Sequence, residues 1–144
     1  MNKNIEIEIR LTNNATVPSR KHDSDIGYDI SSSVDALIPS KEVQLINTGI
    51  AINLPNQCAG FVLPRSGLAS KNKITLINSP GLVDPGYTGE LMVPLINHGS
   101  TDYQISIGDR IAQLVLINTN SVEFKIVENL PDTERSTGGF GSTD

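Results

Sequence analysis

The sequence is poor in the residues that stabilise small domains through covalent links or large rings. It has one cysteine, no tryptophan, three tyrosines and three phenylalanines among its 144 residues. A single cysteine excludes an intrachain disulfide, and the apolar run around Cys58 predicts a small buried thiol rather than a nucleophile or a metal ligand. The chain is long enough to bury a core as one domain without a disulfide or a metal.

A long apolar run is also missing. No stretch is long enough to cross a membrane, so we expect no membrane anchor. Residues 1–6 lead directly into alternating polar and apolar positions and lack the apolar core of a signal peptide. We therefore expect a cytoplasmic protein, or a nuclear one if it is eukaryotic or viral, and not a secreted one.

Positive charge is scarce. The chain carries 11 Lys and Arg against 16 Asp and Glu, for a net charge of −5. The basic residues are scattered, which argues against a nucleic-acid partner, because such proteins usually present a basic face. A small polyanion is still a reasonable ligand, since each close opposite charge is worth on the order of 4 kcal/mol before desolvation.

Short apolar runs rich in Ile and Val recur along the chain and are separated by segments of turn composition. Many short strands at close spacing predict an all-β sandwich, barrel or jelly roll. One short helix is expected at Ser66–Lys71, because Pro64 precedes it and Ser66 can cap it. The runs that predict strands are 5–11, 43–54, 59–63, 74–77, 91–96, 111–117 and 122–127.

No internal repeat or linker divides the chain before residue 130, so residues 1–130 are predicted to form one β-barrel domain. Residues 131–144 differ, because Phe140 is their only large apolar residue and they cannot fold alone. A frayed terminus is one interpretation. The alternative is a flexible glycine-rich lid, in which Arg135 offers a phosphate donor and Phe140 a stacking ring.

Three aromatic residues lie in glycine-flanked segments: Gly27-Tyr28, Gly86-Tyr87 and Gly139-Phe140-Gly141. An aromatic ring in a polar, glycine-rich loop has little to pack against unless a planar ligand supplies it. Ordinary turns also combine glycine and tyrosine. Three such segments with Asp, Arg, Ser or Thr beside them favour a nucleotide site.

The segment Asn78–Glu90 lies between two predicted strands and is expected to form a long hairpin. Within it, Asp84 is a candidate to orient a water or take its proton, Tyr87 to lie against a sugar, and Asn78 to bond a base edge. The alternative is an Asp-Pro-Gly turn in which Asp84 bonds its own backbone.

Further polar segments offer phosphate and metal ligands. If Ser66 begins a helix, its hydroxyl and the following amides form an anion site, and Gly67 allows close approach; the alternative is a helix cap beside a salt-bridged Arg65. The carboxylates of 25–29 are candidates for a hydrated Mg²⁺. In 108–113 an Asp-Arg turn pair precedes Gln113, a candidate amide donor to phosphate.

Several familiar catalytic motifs are missing. The chain has no HExxH, paired CxxC, Walker-type or GxSxG motif, and His22 and His98 lie far apart in sequence. Covalent catalysis and a structural zinc are therefore disfavoured. Attack by water assisted by Mg²⁺ is the chemistry that remains.

Taken in order, these segments resemble the five motifs of the trimeric dUTP pyrophosphatases, the dUTPases, from about residue 24 to the C-terminus. The resemblance implies a jelly-roll-like, distorted β-barrel protomer with one short helix, assembled as a homotrimer with active sites at subunit interfaces. It implies hydrolysis of dUTP to dUMP and pyrophosphate with Mg²⁺ as cofactor. The matching segments are Gly27-Tyr28-Asp29, Pro64 to Ala69, Gly81 to Glu90, Gly108 to Gln113, and Arg135 with Gly138 to Thr143.

The resemblance also implies a role for each matching residue. Asp84 would activate the water that attacks the α-phosphorus, and Asp29 would position the metal through water. Asn78 and Gly81 would contact uracil with the hairpin backbone, while Tyr87 would exclude a 2′-hydroxyl. The phosphates would be held by Arg65, Ser66, Gly67 and Gln113, and the tail of another subunit would contribute Arg135, Phe140, Gly141, Ser142 and Thr143.

The departures from the family pattern are modest. Ile26 stands where alanine is usual, Thr88 where arginine is common, and Ser136 where glycine often follows the tail arginine. None of these removes a catalytic group. Asp144 places extra negative charge beside the expected γ-phosphate site, which would weaken triphosphate binding or keep the tail mobile.

Two other functions fit parts of the pattern. A dCTP deaminase, or a bifunctional deaminase and pyrophosphatase, would share the fold, although the glycine-rich tail with Phe140 resembles the monofunctional enzymes. A nucleotide-gated binding module would use a dUTP-ordered tail to signal to a partner protein. Retention of Asp84, Tyr87 and Arg135 favours catalysis over binding alone.

Overall fold

A computed structural model describes residues 5–12 and 14–139 and consists mostly of β-strands. None of its helices, within those ranges, has the length and apolarity that a membrane crossing needs. The elements are β1 Glu8–Leu11, β2 Tyr28–Ser31, β3 Ala36–Ile38, β4 Val43–Asn53, β5 Cys58–Leu63, α1 Ser66–Asn72, β6 Ile74–Leu76, β7 Gly81–Val83, β8 Glu90–Asn97, β9 Tyr103–Ile105 and β10 Arg110–Asn118.

The strands form three antiparallel sheets. One four-stranded sheet has the order β1-β4-β8-β6, a second has the order β2-β10-β5-β7, and β3 pairs with β9. Burial alternates along β8, where Leu91, Val93, Leu95 and Asn97 face inward. This is the period that a strand with one buried face requires. The all-β prediction is confirmed.

One apolar cluster draws on all three sheets. Ile46 and Leu95 come from the first sheet, Ile30 and Leu114 from the second, and Ile38 from the two-stranded sheet; all five are at most 5% exposed. Because each sheet buries one face in the same cluster, the three sheets hold one another in place. The cluster also contains Cys58, a buried free thiol as predicted.

The strand predicted at 122–127 is wrong. No strand lies there, and the side chains of Val122, Phe124 and Ile126 are 72%, 92% and 97% exposed. The alternating pattern indicates an apolar side that would be buried against another surface, but no described residue of this chain packs on it. A period-two pattern predicts a strand only where a partner strand or sheet is available.

Four short strands were not predicted. They are β2, β3, β7 and β9, each of three or four residues, too short for a clear apolar pattern. The hairpin expected over 78–90 is confirmed in that β6 and β8 pair, with Ile74 opposite Asn97. Its connection also contains β7, which pairs with β5 in the other sheet. The hairpin therefore bridges the two four-stranded sheets.

The short helix is confirmed, but the prediction that Ser66 caps it is wrong. Arg65 is the N-cap residue, with extended backbone angles and no side-chain capping bond, and Ser66 is the first helical residue. The Arg65 side chain is directed to Asp29 instead. At the other end Lys73 adopts the left-handed conformation, with φ of 60°, and its amide closes the last turn.

Candidate active site

A pocket in the long hairpin brings together the residues predicted to bind the nucleoside and activate water. The cavity, about 210 Å³, is called here the hairpin pocket. Residues of β7, of β8 and of the turn between them supply most of its lining. Its lining residues are Val62, Leu76, Asn78, Gly81, Leu82, Val83, Asp84, Tyr87, Glu90, Leu91, Met92 and Pro94.

Asp84 lies directly after β7, at the mouth of the hairpin pocket. Its backbone carbonyl accepts from the Tyr87 amide at 3.2 Å, which closes the turn. The residue is exposed, and among residues 5–12 and 14–139 no group donates a hydrogen bond to its carboxylate. The predicted alternative, a side chain bonded to its own backbone, is therefore wrong. The carboxylate is available to accept a proton from water.

Tyr87 stands at the rim of the same pocket. Its hydroxyl donates to the Glu90 carbonyl at 2.9 Å. The ring lies over Gly89, where a Cβ would come within 2.7 Å of the Tyr87 hydroxyl oxygen. Gly86, with φ of +85°, supplies the turn that folds the tyrosine back. The ring is thus held in one position although it is 46% exposed.

A second cavity, of about 410 Å³, lies beside the start of α1 and is called here the arginine groove. Arg65, Gly67, Lys71 and Arg110 line it. Ser66 is exposed in the first turn of the same helix. Cationic side chains beside exposed amides are suited to holding phosphate oxygens.

Asp29 holds two of these arginines. Its Oδ1 accepts from Arg65 Nε and its Oδ2 from Arg110, both at 3.0 Å. Arg65 also donates to the Arg110 carbonyl at 3.2 Å. The carboxylate therefore fixes both guanidinium groups at one edge of the groove.

The same contacts test whether Asp29 suits a metal ion. Within the described ranges no three His, Cys, Asp or Glu side chains are grouped closely enough to hold one. Both Asp29 oxygens are already engaged by guanidinium groups. This donor set does not form a protein cage; it fits a Mg²⁺ that keeps its waters and is bound mainly by phosphate oxygens.

Gln113 lies on β10 opposite both Asp29 and Leu63. Its Nε2 donates to the Pro64 carbonyl at 3.1 Å, and its Oε1 fills the space where a Cβ on Gly27 would lie. The amide therefore ties the segment before α1 to the second sheet, close to the arginines.

The tail residues are only partly described. The Arg135 Nε donates to the Gly138 carbonyl at 3.1 Å within an exposed turn. The predicted substrate contacts Phe140, Gly141, Ser142 and Thr143 lie outside the described residues.

The premise that Tyr28 lies in a turn with no apolar surface to pack against is wrong, which removes the reason to expect a ligand contact there. The Tyr28 ring is half-buried and packs against the core, and the Arg20 guanidinium lies 5.2 Å from the ring centroid. Tyr28 begins β2, so the core supplies the apolar surface that the local sequence appeared to lack. A glycine followed by an aromatic residue therefore does not distinguish a loop from the start of a strand.

Two residues of the arginine groove were missed from the sequence. Arg110 was assigned to a turn pair, but it begins β10 and binds Asp29. Tyr103 lines the groove, and burial, with Asp109 nearby, raises the pKa of its hydroxyl above the usual 10.0. The alternation of charge at 109–110 was the available signal for Arg110; nothing local marked Tyr103.

Comparison with known proteins identifies the class. The dUTPase family model matches residues 13–144, so the chain belongs to the dUTPase family. A deoxyuridine 5′-triphosphate nucleotidohydrolase of Crocosphaera subtropica is 47% identical over 135 residues, covering 94% of this chain and 95% of that protein. One from Tropheryma whipplei strain Twist is 50% identical over 130 residues, covering 88% and 87%.

Solved structures agree with this assignment. The dUTPase of Staphylococcus bacteriophage 80alpha with dUpNHpp superposes with a TM-score of 0.90 at 29% identity, covering 96% of this chain and 98% of that one. A mutant dUTPase of S. aureus phage phi11, described with a structural Mg(II) ion, gives a TM-score of 0.83 at 28% identity, covering 89% and 100%.

Proposed function

We propose that this chain is a dUTP diphosphatase, which hydrolyses dUTP to dUMP and pyrophosphate. The observation that carries the proposal is the free carboxylate of Asp84 in a pocket shared with Asn78 and Tyr87. Its relatives are nucleotidohydrolases of the same nucleotide, and one structural neighbour holds the dUTP analogue dUpNHpp. The reaction would keep uracil out of DNA and supply dUMP for dTMP synthesis, in the cytoplasm or a nucleus.

Asp84 acts as the general base. It takes a proton from a water whose oxygen forms a bond to the α-phosphorus. The bond from that phosphorus to the oxygen bridging to the β-phosphate breaks, and pyrophosphate leaves. An exposed carboxylate with no competing donor suits this task, since general bases of this kind contribute about 10²–10⁴-fold to the rate.

The rest of the hairpin pocket recognises the nucleoside. Asn78 bonds the uracil edge, and Gly81 allows the base to approach the backbone of β7. Tyr87 packs against the deoxyribose and leaves no room for a 2′-hydroxyl. The support for this steric role is the bond from Tyr87 to the Glu90 carbonyl, which keeps the ring from moving aside.

The arginine groove binds the phosphates. Arg65 and the first amides of α1, at Ser66 and Gly67, contact phosphate oxygens, and Gln113 adds an amide donor. Asp29 shares its arginines with the incoming anion and would hold the waters of a bound Mg²⁺. Such an ion would offset negative charge on the triphosphate and polarise the phosphoryl group.

The exposed side of the first sheet supports assembly into a homotrimer of jelly-roll protomers. Val43, Leu45 and Met92 point outward from paired strands and are 43%, 49% and 44% exposed. An apolar patch of this kind marks a protein interface more often than a free surface. Because Met92 also lines the hairpin pocket, a subunit that covers this face reaches the active site.

The exposed residues 122–127 support a tail that acts on another subunit. Val122, Phe124 and Ile126 alternate with polar residues, so a neighbouring sheet would bury all three on one side. With that segment anchored, residues 131–144 close over the neighbour's site. Phe140 and Gly141 cover the uracil, while Arg135, Ser142 and Thr143 bind the γ-phosphate.

Pyrophosphate release from a panel of dNTPs and UTP, with Mg²⁺, tests the activity. We expect turnover of dUTP well above the others, and Asp84→Asn as the inactive control. Ammonia release from dCTP would instead support a deaminase. Size-exclusion chromatography with light scattering tests the homotrimer; a stable monomer that retains full activity would contradict it.

A further inference from the structure

The pairing of β4 with β8 contains a bulge next to the hairpin pocket. Met92 lies opposite Asn47, but Glu90 lies opposite Ala51, so β4 has extra residues between these pairs. Gly49 lies within the bulge and has a φ of +68°, where a Cβ would also clash with Ala15. The backbone here departs from a regular strand, and its amides need partners other than the ladder.

The Glu90 side chain supplies those partners. Its Oε1 accepts from the Gly49 amide at 2.8 Å and from Asn47 Nδ2 at 3.2 Å. The Thr48 hydroxyl donates to the Leu91 carbonyl from the same bulge. Both ion pairs in the described part of the chain involve Asp29, so the Glu90 carboxylate is held by neutral donors.

The backbone of Glu90 holds the tyrosine of the hairpin pocket. Its carbonyl accepts the Tyr87 hydroxyl at 2.9 Å. The side chain of one residue is therefore fixed to β4, while its main chain fixes the ring proposed to face the sugar. Two anchors on one residue connect the bulge to the ring by three hydrogen bonds.

We infer that Glu90 is a positioning residue for sugar discrimination and acts through Tyr87. The carboxylate fixes the first residue of β8, which sets where the Glu90 carbonyl lies and thus where the Tyr87 hydroxyl is held. Without the carboxylate, the start of β8 shifts and the ring yields to a 2′-hydroxyl. This inference rests on the proposed role of Tyr87 in excluding ribonucleotides.

The test compares kcat/KM for dUTP and UTP in Glu90→Ala. We expect a larger UTP-to-dUTP ratio, by about 2- to 10-fold, because a residue that acts through Tyr87 changes the ratio no more than loss of the Tyr87 ring itself. Glu90→Gln keeps an oxygen in reach of the Gly49 amide and should restore the ratio close to the wild-type value. In a Tyr87→Phe background, which lacks the hydroxyl, Glu90→Ala should add little.

Glu8→Ala is the matched control. The Glu8 carboxylate also accepts from an asparagine of β4, since Asn53 Nδ2 donates to it at 2.7 Å, but it does not line the hairpin pocket. We expect its ratio to equal that of wild type. If Glu90→Ala lowers thermal stability and leaves the ratio unchanged, Glu90 is merely structural and the inference is overturned.

Tyr87 variants separate this failure from that of the proposed function. If Tyr87→Ala raises the ratio while Glu90→Ala does not, the sugar gate stands and the inference fails. If Tyr87→Phe keeps the wild-type ratio, the hydroxyl bond does not hold the ring, and the inference is again overturned. An unchanged ratio in Tyr87→Ala overturns both.

Discussion

The body of the protein, residues 5–12 and 14–118, and the C-terminal segment, residues 119–139, differ in where their apolar side chains lie. The cluster of buried apolar side chains lies entirely in the body, and each buried side-chain polar atom among the described residues has a partner. In the C-terminal segment, Phe124 and Ile126 are more than nine-tenths exposed. The core of one protomer therefore comes from the body, to which the described residues of the C-terminal segment add no side chain. The body still leaves Val43, Leu45 and Met92 exposed on one face, whereas in the C-terminal segment the apolar side chains that alternate along 122–126 are all exposed.

The difference indicates which properties each region controls. Stability of the protomer should depend on the body alone. If the proposed roles hold, catalysis should depend on both regions, because Asp84 is the proposed base in the hairpin pocket and Arg135 is a proposed phosphate ligand in the C-terminal segment. Variants that change catalysis without changing stability, or the reverse, test this difference between the regions.

Asp84→Asn should have the largest effect. The amide cannot accept a proton from water, so turnover should fall about 10²–10⁴-fold, while the exposed side chain contributes little to folding. Single-turnover kinetics and thermal unfolding measure the two properties. Turnover at the wild-type rate would show that another group is the base.

Deletion of residues 135–144 should cause the second largest loss of activity, and the free energy of unfolding of the protomer should not change. Stacking of a base on an aromatic ring is worth about 1–3 kcal/mol, and each 1.4 kcal/mol changes an equilibrium or rate about tenfold. Loss of this stacking together with the charge-assisted contact of Arg135 should lower kcat/KM about 10²-fold. Circular dichroism and light scattering check that the truncated chain folds and assembles.

Mixing the truncated chains with Asp84→Asn chains tests whether the tail acts between subunits. A mixed trimer can combine an intact Asp84 with an intact tail in one site, so activity should exceed the sum of the separate samples. Subunit exchange is first verified by chromatography of tagged and untagged chains. Given exchange, a merely additive result would mean that each tail serves its own subunit.

Leu95→Ala and Phe124→Ala contrast the regions by stability. Leu95 is fully buried, so its truncation should cost about 2–5 kcal/mol at every protein concentration. Phe124 is 92% exposed in the protomer, so its truncation should act only through assembly. Denaturant unfolding over a range of concentrations distinguishes them; equal, concentration-independent losses would contradict the comparison.

Tyr87→Ala should give the smallest effect, a change of selectivity. Loss of the ring should raise kcat/KM for UTP relative to dUTP by about tenfold, within the 1–3 kcal/mol that steric selection commonly supplies. Activity on dUTP should fall as well. Steady-state kinetics on both nucleotides measure the ratio, with Tyr28→Phe as a control tyrosine that packs against the core.

The sequence predicts the long elements and the composition of the hairpin pocket well. Residues 43–54 and 91–96 are runs rich in apolar residues bounded by turn segments, and β4 and β8 lie within a residue of those ranges. Asn78, Asp84 and Tyr87 are close in sequence, so one hairpin necessarily brings them near one another. The structure does not test their roles in catalysis, which stay predictions.

Features that depend on distant parts of the chain could not be predicted in this way. Arg65, the N-cap residue, donates to Asp29 on β2, and β10 lies between β2 and the strand that precedes Arg65. Nothing near Arg65 in the sequence indicates this partner. Tyr28 was misassigned because its apolar surroundings come from other strands. The prediction of a strand at 122–127 was wrong for the same reason, because an alternating pattern does not show which other segment would bury its apolar side.

The pairing of β2 with β10 has a consequence for how the chain folds as it is made. Ala112 pairs with Ile30, so β2 cannot pair in the second sheet until β10, the last strand, has been synthesised. The pairs among β4, β6 and β8 form earlier during synthesis, since all three precede β9. Until β10 leaves the ribosome, the β2 edge and Ile30 are uncovered, and such long-range pairing is intrinsically slow. That interval is when the nascent chain is most prone to aggregation and most dependent on chaperones.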